Sequence, residues 1–326
     1  MRDVDDLFLA PFRQMLASIA TPKAVRAAEA IRGVPPMWAE IESSGFLDAL
    51  VPEENGGAGL SLADIFPLIA ATGEFALPVP FAETVVARGL LALKGVSPPD
   101  GAAIVLGPLS ATVPLAKAAT HALVERNDRL VLIVNGGESE DPFGAGGGQI
   151  SDSGDVVLSV ARGSVDLMLC AAGLTSAKMA GMMARLLTMT VRYAGERHQF
   201  GRSLSKFQAI QHQLAVMAEQ VVSAHVAARI GMSGVDFDPL RVAMAKCRVS
   251  EASHQVAAIA HAVHGAIGVT EEYDLQLLTR RLKQGQIAFG SESYWAERLG
   301  RARAASALTN SADFVRSRLK DAEPTA

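Results

Sequence analysis

The sequence has little of what marks several large classes of protein. Only 2 of its 326 residues are cysteine, Cys170 and Cys247, and they lack metal-type spacing, so we predict two small buried thiols and no metal site. The formal net charge of -4 and the absence of a basic cluster argue against nucleic acid as a partner. No uninterrupted apolar run reaches the roughly 18 residues of a membrane span, so we predict no membrane association. The opening MRDVDDLFLAPF has early acids and no apolar core typical of a secretory signal, and we expect a cytoplasmic protein.

The residues that are abundant favour helices. Hydrophobic residues make up 49% of the chain, and many of them are alanine, leucine and valine. Helical periodicity is visible in residues 1–98 and again in 167–326, which predicts two helical domains. Ser61 is a candidate N-cap because Asp64 follows three residues later. In the second domain we predict long helices over 175–194, 240–263 and 274–284.

The stretch between the two helical parts has a different pattern. Short β-type runs cover 102–106, 122–125, 130–134 and 156–160, so residues 99–166 predict a reduced β-domain. A polar, glycine-rich segment at 136–155 predicts a mobile surface loop, or one that folds on a partner. The fold class is therefore mainly α with a small β-domain.

The most informative stretch runs from Arg192 to Met217. Apolar residues at Phe207, Ile210 and Leu214 recur at helical spacing after a turn at 199–202. The pattern YAxxRxQFGxxLxxFQxxQxxLAxM resembles the signature of the acyl-CoA dehydrogenase family. This resemblance implies a helical N-terminal domain, a β-domain and a C-terminal four-helix-type domain. It also implies FAD as cofactor.

The resemblance assigns part of an FAD site to the signature. On spacing alone, Arg197 before the turn is expected to form a surface salt bridge with an acid such as Glu196. The matching arginine of the family instead contacts the pyrophosphate or adenosine part of an FAD that a neighbouring subunit holds. Gln199, Phe200 and Gln208 match the positions that complete this contact: a phenyl ring can pack on adenine, and an amide offers both a donor and an acceptor.

A second FAD-contacting segment of the family resembles HGAIGVTEEYDLQLLTRR, residues 264–281. The resemblance implies close backbone approach to the cofactor at His264, Gly265 and Ala266, although Ala262 and Ala266 replace the usual glutamine and glycine. As a side chain, His264 is expected to make a structural hydrogen bond rather than act as an acid or base. The acids and bases that follow are interpreted as charges on a solvated or subunit-facing helix: Glu271, Glu272, Arg280 and Arg281.

The catalytic base of the family has no counterpart in the sequence. Desaturation needs a carboxylate that removes the α-proton of the acyl group. The two positions where the family places this glutamate are occupied by Phe289 and Ala171. Glu292 is an outside candidate, as is Glu74, whereas Ser291 matches a threonine that reaches the cofactor. The family's flavin-ring motif, thr-glu-pro-x-ala-gly-ser, has no counterpart either.

These observations predict a subunit that completes the FAD site of another chain. The resemblance is to the short, non-catalytic (β-type) subunit of heteromeric α2β2 acyl-CoA dehydrogenases, some of which act on acyl-CoA thioesters of steroid side chains. The expected partners are a longer acyl-CoA dehydrogenase subunit, an acyl-CoA substrate and an electron-transfer flavoprotein. Two alternatives are open. One is an active homotetramer with an atypical base, and the other is a binding or scaffold protein of this fold without redox chemistry.

Overall fold

The computed structural model describes residues 5–109, 112–136 and 141–320. Its first part is helical, as predicted. After a short π-helical turn, Asp5–Leu9, the helices are α1 Ala10–Ile19, α2 Pro22–Ala30, α3 Met37–Ser43, α4 Leu62–Glu74 and α5 Phe81–Ala92. The predicted N-cap of α4 is confirmed: the Ser61 hydroxyl accepts from the backbone N–H of Asp64 at 3.2 Å, and the Asp64 carboxylate accepts from the backbone N–H of Ser61 at 3.0 Å.

Four strands match the predicted β-type runs to within two residues, and two further strands, each of two residues, lie outside those runs. The strands are β1 Ile104–Leu106, β2 Thr112–Val113, β3 His121–Arg126, β4 Arg129–Val134, β5 Gly148–Gln149 and β6 Val156–Ala161. Four of them make a sheet in the order β1-β3-β4-β6, in which β1 is parallel to β3 and the other pairs are antiparallel. The small remaining pair, β2 and β5, is antiparallel.

The segment at 136–155 is not simply a surface loop. Residues 137–140 lie outside the described part, but from Asp141 onward the chain folds back on itself. The Asp141 carboxylate accepts backbone N–H groups from Phe143, Ala145 and Gly147. Ala145 and Ile150 are buried. The prediction of mobility is therefore wrong for 141–150, because one carboxylate organises a turn whose apolar side chains enter the core.

The second helical part consists of long helices. They are α6 Leu167–Glu196, α7 Gln208–Gly231, α8 Pro239–His264, α9 Leu275–Ile287, α10 Glu292–Ala304 and α11 Ser311–Lys320, with a two-stranded hairpin of β7 His198–Gln199 and β8 Arg202–Ser203 between α6 and α7. Helix α6 starts eight residues before the predicted start. By length and hydropathy it could cross a membrane, but 89% of its most apolar window is buried inside the protein, which is typical of a core helix.

Helices α4 and α6 pack with their backbones in contact. A Cβ added to Gly73 of α4 would lie 2.0 Å from the Lys178 carbonyl oxygen of α6. A Cβ added to Gly181 of α6 would lie 1.8 Å from the Ala70 carbonyl oxygen of α4. Only glycine allows this approach at both positions, so the first helical part is joined closely to the second.

An ion-pair network joins α2 to α9. The Glu29 carboxylate receives Arg280 Nη2 at 2.9 Å and Arg281 Nη1 at 2.6 Å. Arg281 is only 4% exposed, and Arg280 also donates to the carbonyls of Phe143 and Gly144. The interpretation of Arg280 and Arg281 as solvated or subunit-facing charges is therefore wrong, because their partner comes from a helix about 250 residues earlier.

Candidate functional site

The hairpin between α6 and α7 carries two of the predicted cofactor contacts, Gln199 and Phe200, on an exposed turn, and Arg197 directly precedes it. Phe200 has a φ of +53°, Gly201 a φ of +79°, and the Phe200 side chain is 89% exposed. Behind it, the guanidinium carbon of Arg202 lies 4.1 Å from the centre of the Phe207 ring, and the two phenyl rings meet edge to face with their centroids 6.2 Å apart. The hairpin therefore presents an aromatic ring to the outside on a supported base.

The charged and polar groups of the hairpin are available for a ligand. Glu196 pairs with Arg192 at 2.8 Å, so the alternative prediction of an Arg197–Glu196 salt bridge is wrong. Within the described residues, the exposed Arg197 guanidinium has no hydrogen bond or ion pair. The Gln199 and Gln208 side chains are also exposed. A free guanidinium beside exposed amides suits recognition of phosphate oxygens.

An aromatic cluster joins the hairpin to the second predicted segment. The Tyr193 ring stacks on the His264 ring at 4.4 Å, and its hydroxyl donates to the His264 carbonyl oxygen at 3.3 Å. His264 Nδ1 donates to the Ala260 carbonyl oxygen at 2.8 Å, so Nε2, which lies 3.3 Å from the Tyr273 hydroxyl, is left to accept. Burial lowers the pKa of His264, so the ring is neutral at pH 7.

The His264 side chain has the structural role that the sequence predicted. It is 3% exposed, and both ring nitrogens have partners within the protein. The approach of its backbone to the cofactor stays a prediction. The neighbouring Gly265, with a φ of +63°, and Ala266 are exposed. They are the part of this segment whose backbone a ligand could approach.

The two expected base positions are buried among apolar groups. Ala171 is 1% exposed, and Phe289 is 8% exposed with its ring against Gly107 of the β region. Phe289 has a φ of +56°, and its carbonyl oxygen accepts from the Trp295 indole N–H at 3.0 Å. Neither side chain can accept a proton. Ser291 caps α10 by accepting from the backbone N–H of Tyr294 at 3.4 Å.

Lys246 of α8 holds the turn that carries Phe289. Its ammonium is fully buried and donates to three carbonyl oxygens, those of Gly285 at 2.6 Å, Gln286 at 3.2 Å and Gly290 at 3.1 Å. Burial lowers the pKa of Lys246 to about 7. No pattern in the sequence identifies this lysine as important. It donates to carbonyl groups at the end of the Leu275–Ile287 helix, which have no partner within the helix.

The face of α6 that carries Ala171 also contributes side chains to a small cavity. Thr175, Lys178 and Met182 follow on the same face, and they line a cavity of only about 30 Å³. Lys178 forms a buried ion pair with Glu83 of α5. Small-molecule sites usually measure about 300–1,000 Å³, so this cavity by itself has no room for an acyl thioester. Sequence reasoning missed the pair because its members lie 95 residues apart.

The outside candidates for a base do not fill the gap. Glu74 forms a two-point ion pair with Arg13, at 2.5 Å for the closer oxygen. Glu292 is exposed at the first position of α10 and does not line the small cavity. Ala171 and Phe289, at the two expected base positions, carry no group that could accept a proton.

The predicted site residues form two separate groups. One group lies beside Lys246 and contains Phe289 and Ser291. The other lies beside His264 and contains Tyr193 and the hairpin. Lys246 and His264 are eighteen residues apart on α8, which is about 27 Å along a helix. The hairpin group and the base-position group cannot contact the same atoms of one small ligand. Phe200 of the hairpin group is exposed to solvent, whereas Phe289 of the base-position group is buried within the chain.

The two cysteines carry no site. Cys170 is buried and Cys247 half-buried, and both are free thiols. Burial raises the pKa of Cys170 to about 12 and that of Cys247 to about 11, so both stay protonated and unreactive at neutral pH.

Similar solved structures define the class of fold. The steroid acyl-CoA dehydrogenase Tcur3481-Tcur3483, as its G363A variant, superposes with a TM-score of 0.79 at 26% identity, covering 94% of this chain and 99% of that chain. The ChsE4-ChsE5 complex from Mycobacterium tuberculosis gives a TM-score of 0.82 at 21% identity, with the same coverage, and shows the fold alone. The protein thus has the mainly helical fold with a small β-domain that the sequence predicted.

Sequence relatives identify the family. The model of the acyl-CoA dehydrogenase C-terminal domain matches residues 169–311. Acyl-CoA dehydrogenase IpdE2 of Mycolicibacterium smegmatis is 31% identical over 280 residues, covering 80% of this chain and 86% of that protein. Its Mycobacterium tuberculosis counterpart is 31% identical over 290 residues, covering 82% and 87%. The chain belongs to the acyl-CoA dehydrogenase family, and FAD is the cofactor the family implies, as predicted.

Proposed function

We propose that this chain is the subunit of a heteromeric, FAD-dependent acyl-CoA dehydrogenase that lends its hairpin to the FAD of a partner subunit. The partner carries the catalytic base and binds the acyl-CoA. The observation that supports this most strongly is the contrast within one chain: an exposed hairpin with a free guanidinium, and expected base positions that are filled by the buried side chains of Ala171 and Phe289.

Each hairpin residue has a role that its chemistry supports. Arg197 would donate to the pyrophosphate oxygens, where a planar guanidinium forms two parallel hydrogen bonds. Phe200 would cover the adenine face, which removes an exposed phenyl ring from water. Gln208, at the start of α7, would donate or accept at the adenosine part. The exposed backbone at Gly265 and Ala266 would approach the same moiety.

The reaction of the complex would be α,β-desaturation of an acyl-CoA thioester. The partner subunit would supply the carboxylate that takes the α-proton. FAD, held in part by Arg197, Phe200 and Gln208, would supply the acceptor for the β-hydride, and an electron-transfer flavoprotein would take the electrons. A relative described as a steroid acyl-CoA dehydrogenase, at 26% identity, favours a bulky steroid-derived acyl group as substrate. The two free cysteines fit a reducing cytoplasm.

The test is to purify the chain alone and co-expressed with a longer acyl-CoA dehydrogenase homologue, and to record native mass and flavin absorbance. We expect a colourless protein alone and a yellow complex with about one FAD per pair of chains. A yellow, active homo-oligomer of this chain alone would overturn the proposal, and Glu292→Gln would then test the atypical base. A complex that forms without flavin would instead favour a binding protein without redox chemistry.

A charge variant tests the hairpin directly. Arg197→Gln should weaken FAD retention by the complex about 10- to 150-fold, because a hydrogen bond to a charged group contributes about 1.5–3 kcal/mol. Arg192→Gln is the matched control: it lies five residues earlier and is paired with Glu196, so it should leave retention unchanged. Equal retention in both variants would exclude Arg197 from the cofactor site.

A further inference from the structure

The small cavity beside α6 has an unusual lining. It lies between α4, α6, α9 and the Pro114–Leu115 turn, and its volume is about 30 Å³, enough for one or two solvent-sized species. Its charged lining residues are Lys178 and Arg281, and no carboxylate is among the residues that line it. Thr175 and Gln284 add polar groups, and the remaining lining is mostly apolar.

Arg281 has one occupied edge and one free edge. Its Nη1 donates to Glu29 at 2.6 Å and to the Leu277 carbonyl oxygen at 2.9 Å. Its Nε and Nη2 are buried and have no hydrogen-bond partner among the described residues, and the same holds for Thr175 Oγ1. Arg281 and Thr175 are each 4% exposed. Unpaired buried donors, above all on a charged group, are costly, so this edge calls for an acceptor.

The acceptor that fits is a small anion. A water molecule would accept from the guanidinium but would also need acceptors for its own two hydrogens, whereas the free groups here are N–H donors and one hydroxyl. Neither nearby carboxylate is among the residues that line the cavity: Glu29 bridges Arg280 and Arg281 on the occupied edge, and Glu83 pairs with Lys178 through one oxygen, while its second oxygen has no hydrogen bond among the described residues. Burial also lowers the pKa of Arg281, a penalty that a bound anion would offset.

We propose that this cavity binds one monatomic anion of the size of chloride, held by Arg281 Nε and Nη2 and by the Thr175 hydroxyl. A cavity of about 30 Å³ is much smaller than most small-molecule sites, which favours a monatomic ion over a larger anion. The site would stabilise the closed packing of α4, α6 and α9. It does not depend on the hairpin or on a partner, so it can hold or fail independently of the proposed function.

The direct test uses bromide, which replaces chloride and scatters X-rays anomalously. Crystals of the full-length chain, or of its complex where one co-purifies, are grown in sodium bromide. We expect an anomalous peak within hydrogen-bond distance of Arg281 and Thr175. Ordinary water density without an anomalous signal at this position would overturn the proposal.

The solution test compares thermal unfolding in sodium bromide and in sodium gluconate at equal ionic strength, because gluconate cannot enter the cavity. Above the Kd, Tm should rise about 3 °C for each tenfold increase in bromide. Thr175→Val should reduce this dependence. Thr72→Val is the matched control: Thr72 lines the same cavity with the same 4% exposure, but its hydroxyl already donates to the Ile69 carbonyl oxygen. Equal bromide dependence in both variants, or an equal response to gluconate, would refute the site.

Discussion

The buried ion pair between Lys178 and Glu83 gives the sharpest test of how the interior is held. Glu83 is 2% exposed, and Lys178 is the only partner that the described residues give it, since its second oxygen has no hydrogen bond. Lys178→Met keeps most of the side-chain volume and removes the counter-charge. Leaving a buried carboxylate unpaired should lower the free energy of unfolding by about 3–5 kcal/mol. Urea unfolding at neutral pH, followed by far-UV circular dichroism, measures this.

The double variant separates charge from packing. Lys178→Met combined with Glu83→Leu removes both charges and should recover most of the loss, because a well-packed apolar pair can replace a buried ion pair at little cost. Arg192→Met is the control: its pair with Glu196 is exposed, with 77% and 65% of the two side chains accessible, so its loss should leave the stability nearly unchanged. The reasoning fails if Lys178→Met changes stability by less than about 1 kcal/mol, or if the double variant is less stable than the single one.

Two further predictions concern other buried contacts. Gly181→Ala should destabilise the chain by about 3 kcal/mol or more in the same urea assay, because the added Cβ would clash with the Ala70 carbonyl oxygen. Gly300→Ala on α10 is the control: its added Cβ has no atom within 4 Å, so this variant should be more stable by about 0.5–1 kcal/mol. Similar effects at both sites would contradict the close packing of α4 on α6. Stability should also depend on pH through Lys246. The pKa of Lys246 is 10.5 in the unfolded chain and about 7 in the folded chain. Between these pH values the unfolded state binds more protons than the folded state. The free energy of unfolding should therefore rise with pH across this window, by at most about 1.4 kcal/mol per pH unit. Comparing pH-dependent urea unfolding of the parent and Lys246→Met isolates this slope, and equal slopes would show that the ammonium is not desolvated.

The sequence predicted the helices and strands better than it predicted their contacts. Periodicity and the signature identified the mainly helical fold, but α6 was predicted to start at Thr175 instead of Leu167. Its first turns are buried on all sides, so they show no amphipathic period. The Arg281–Glu29 contact joins residues 252 apart, and a pattern that repeats within one helix carries no information about it. The hairpin positions came from the family signature, whereas the free state of Arg197 required the observation that Glu196 pairs with Arg192.

The energetics of the hairpin argue that it contacts something outside the chain. Phe200 combines a φ of +53°, which costs of order 1–3 kcal/mol for a non-glycine residue, with a phenyl ring that is 89% exposed. Neither feature stabilises this chain by itself, whereas burying the ring against a ligand would gain about 1.5–3 kcal/mol and offset the strain. Ala171 and Phe289 are buried within their own chain. Substitutions at these positions can therefore arise without disturbing the hairpin, because the contact of Lys246 with the Phe289 turn and the contact of His264 with Tyr193 are eighteen residues apart on α8.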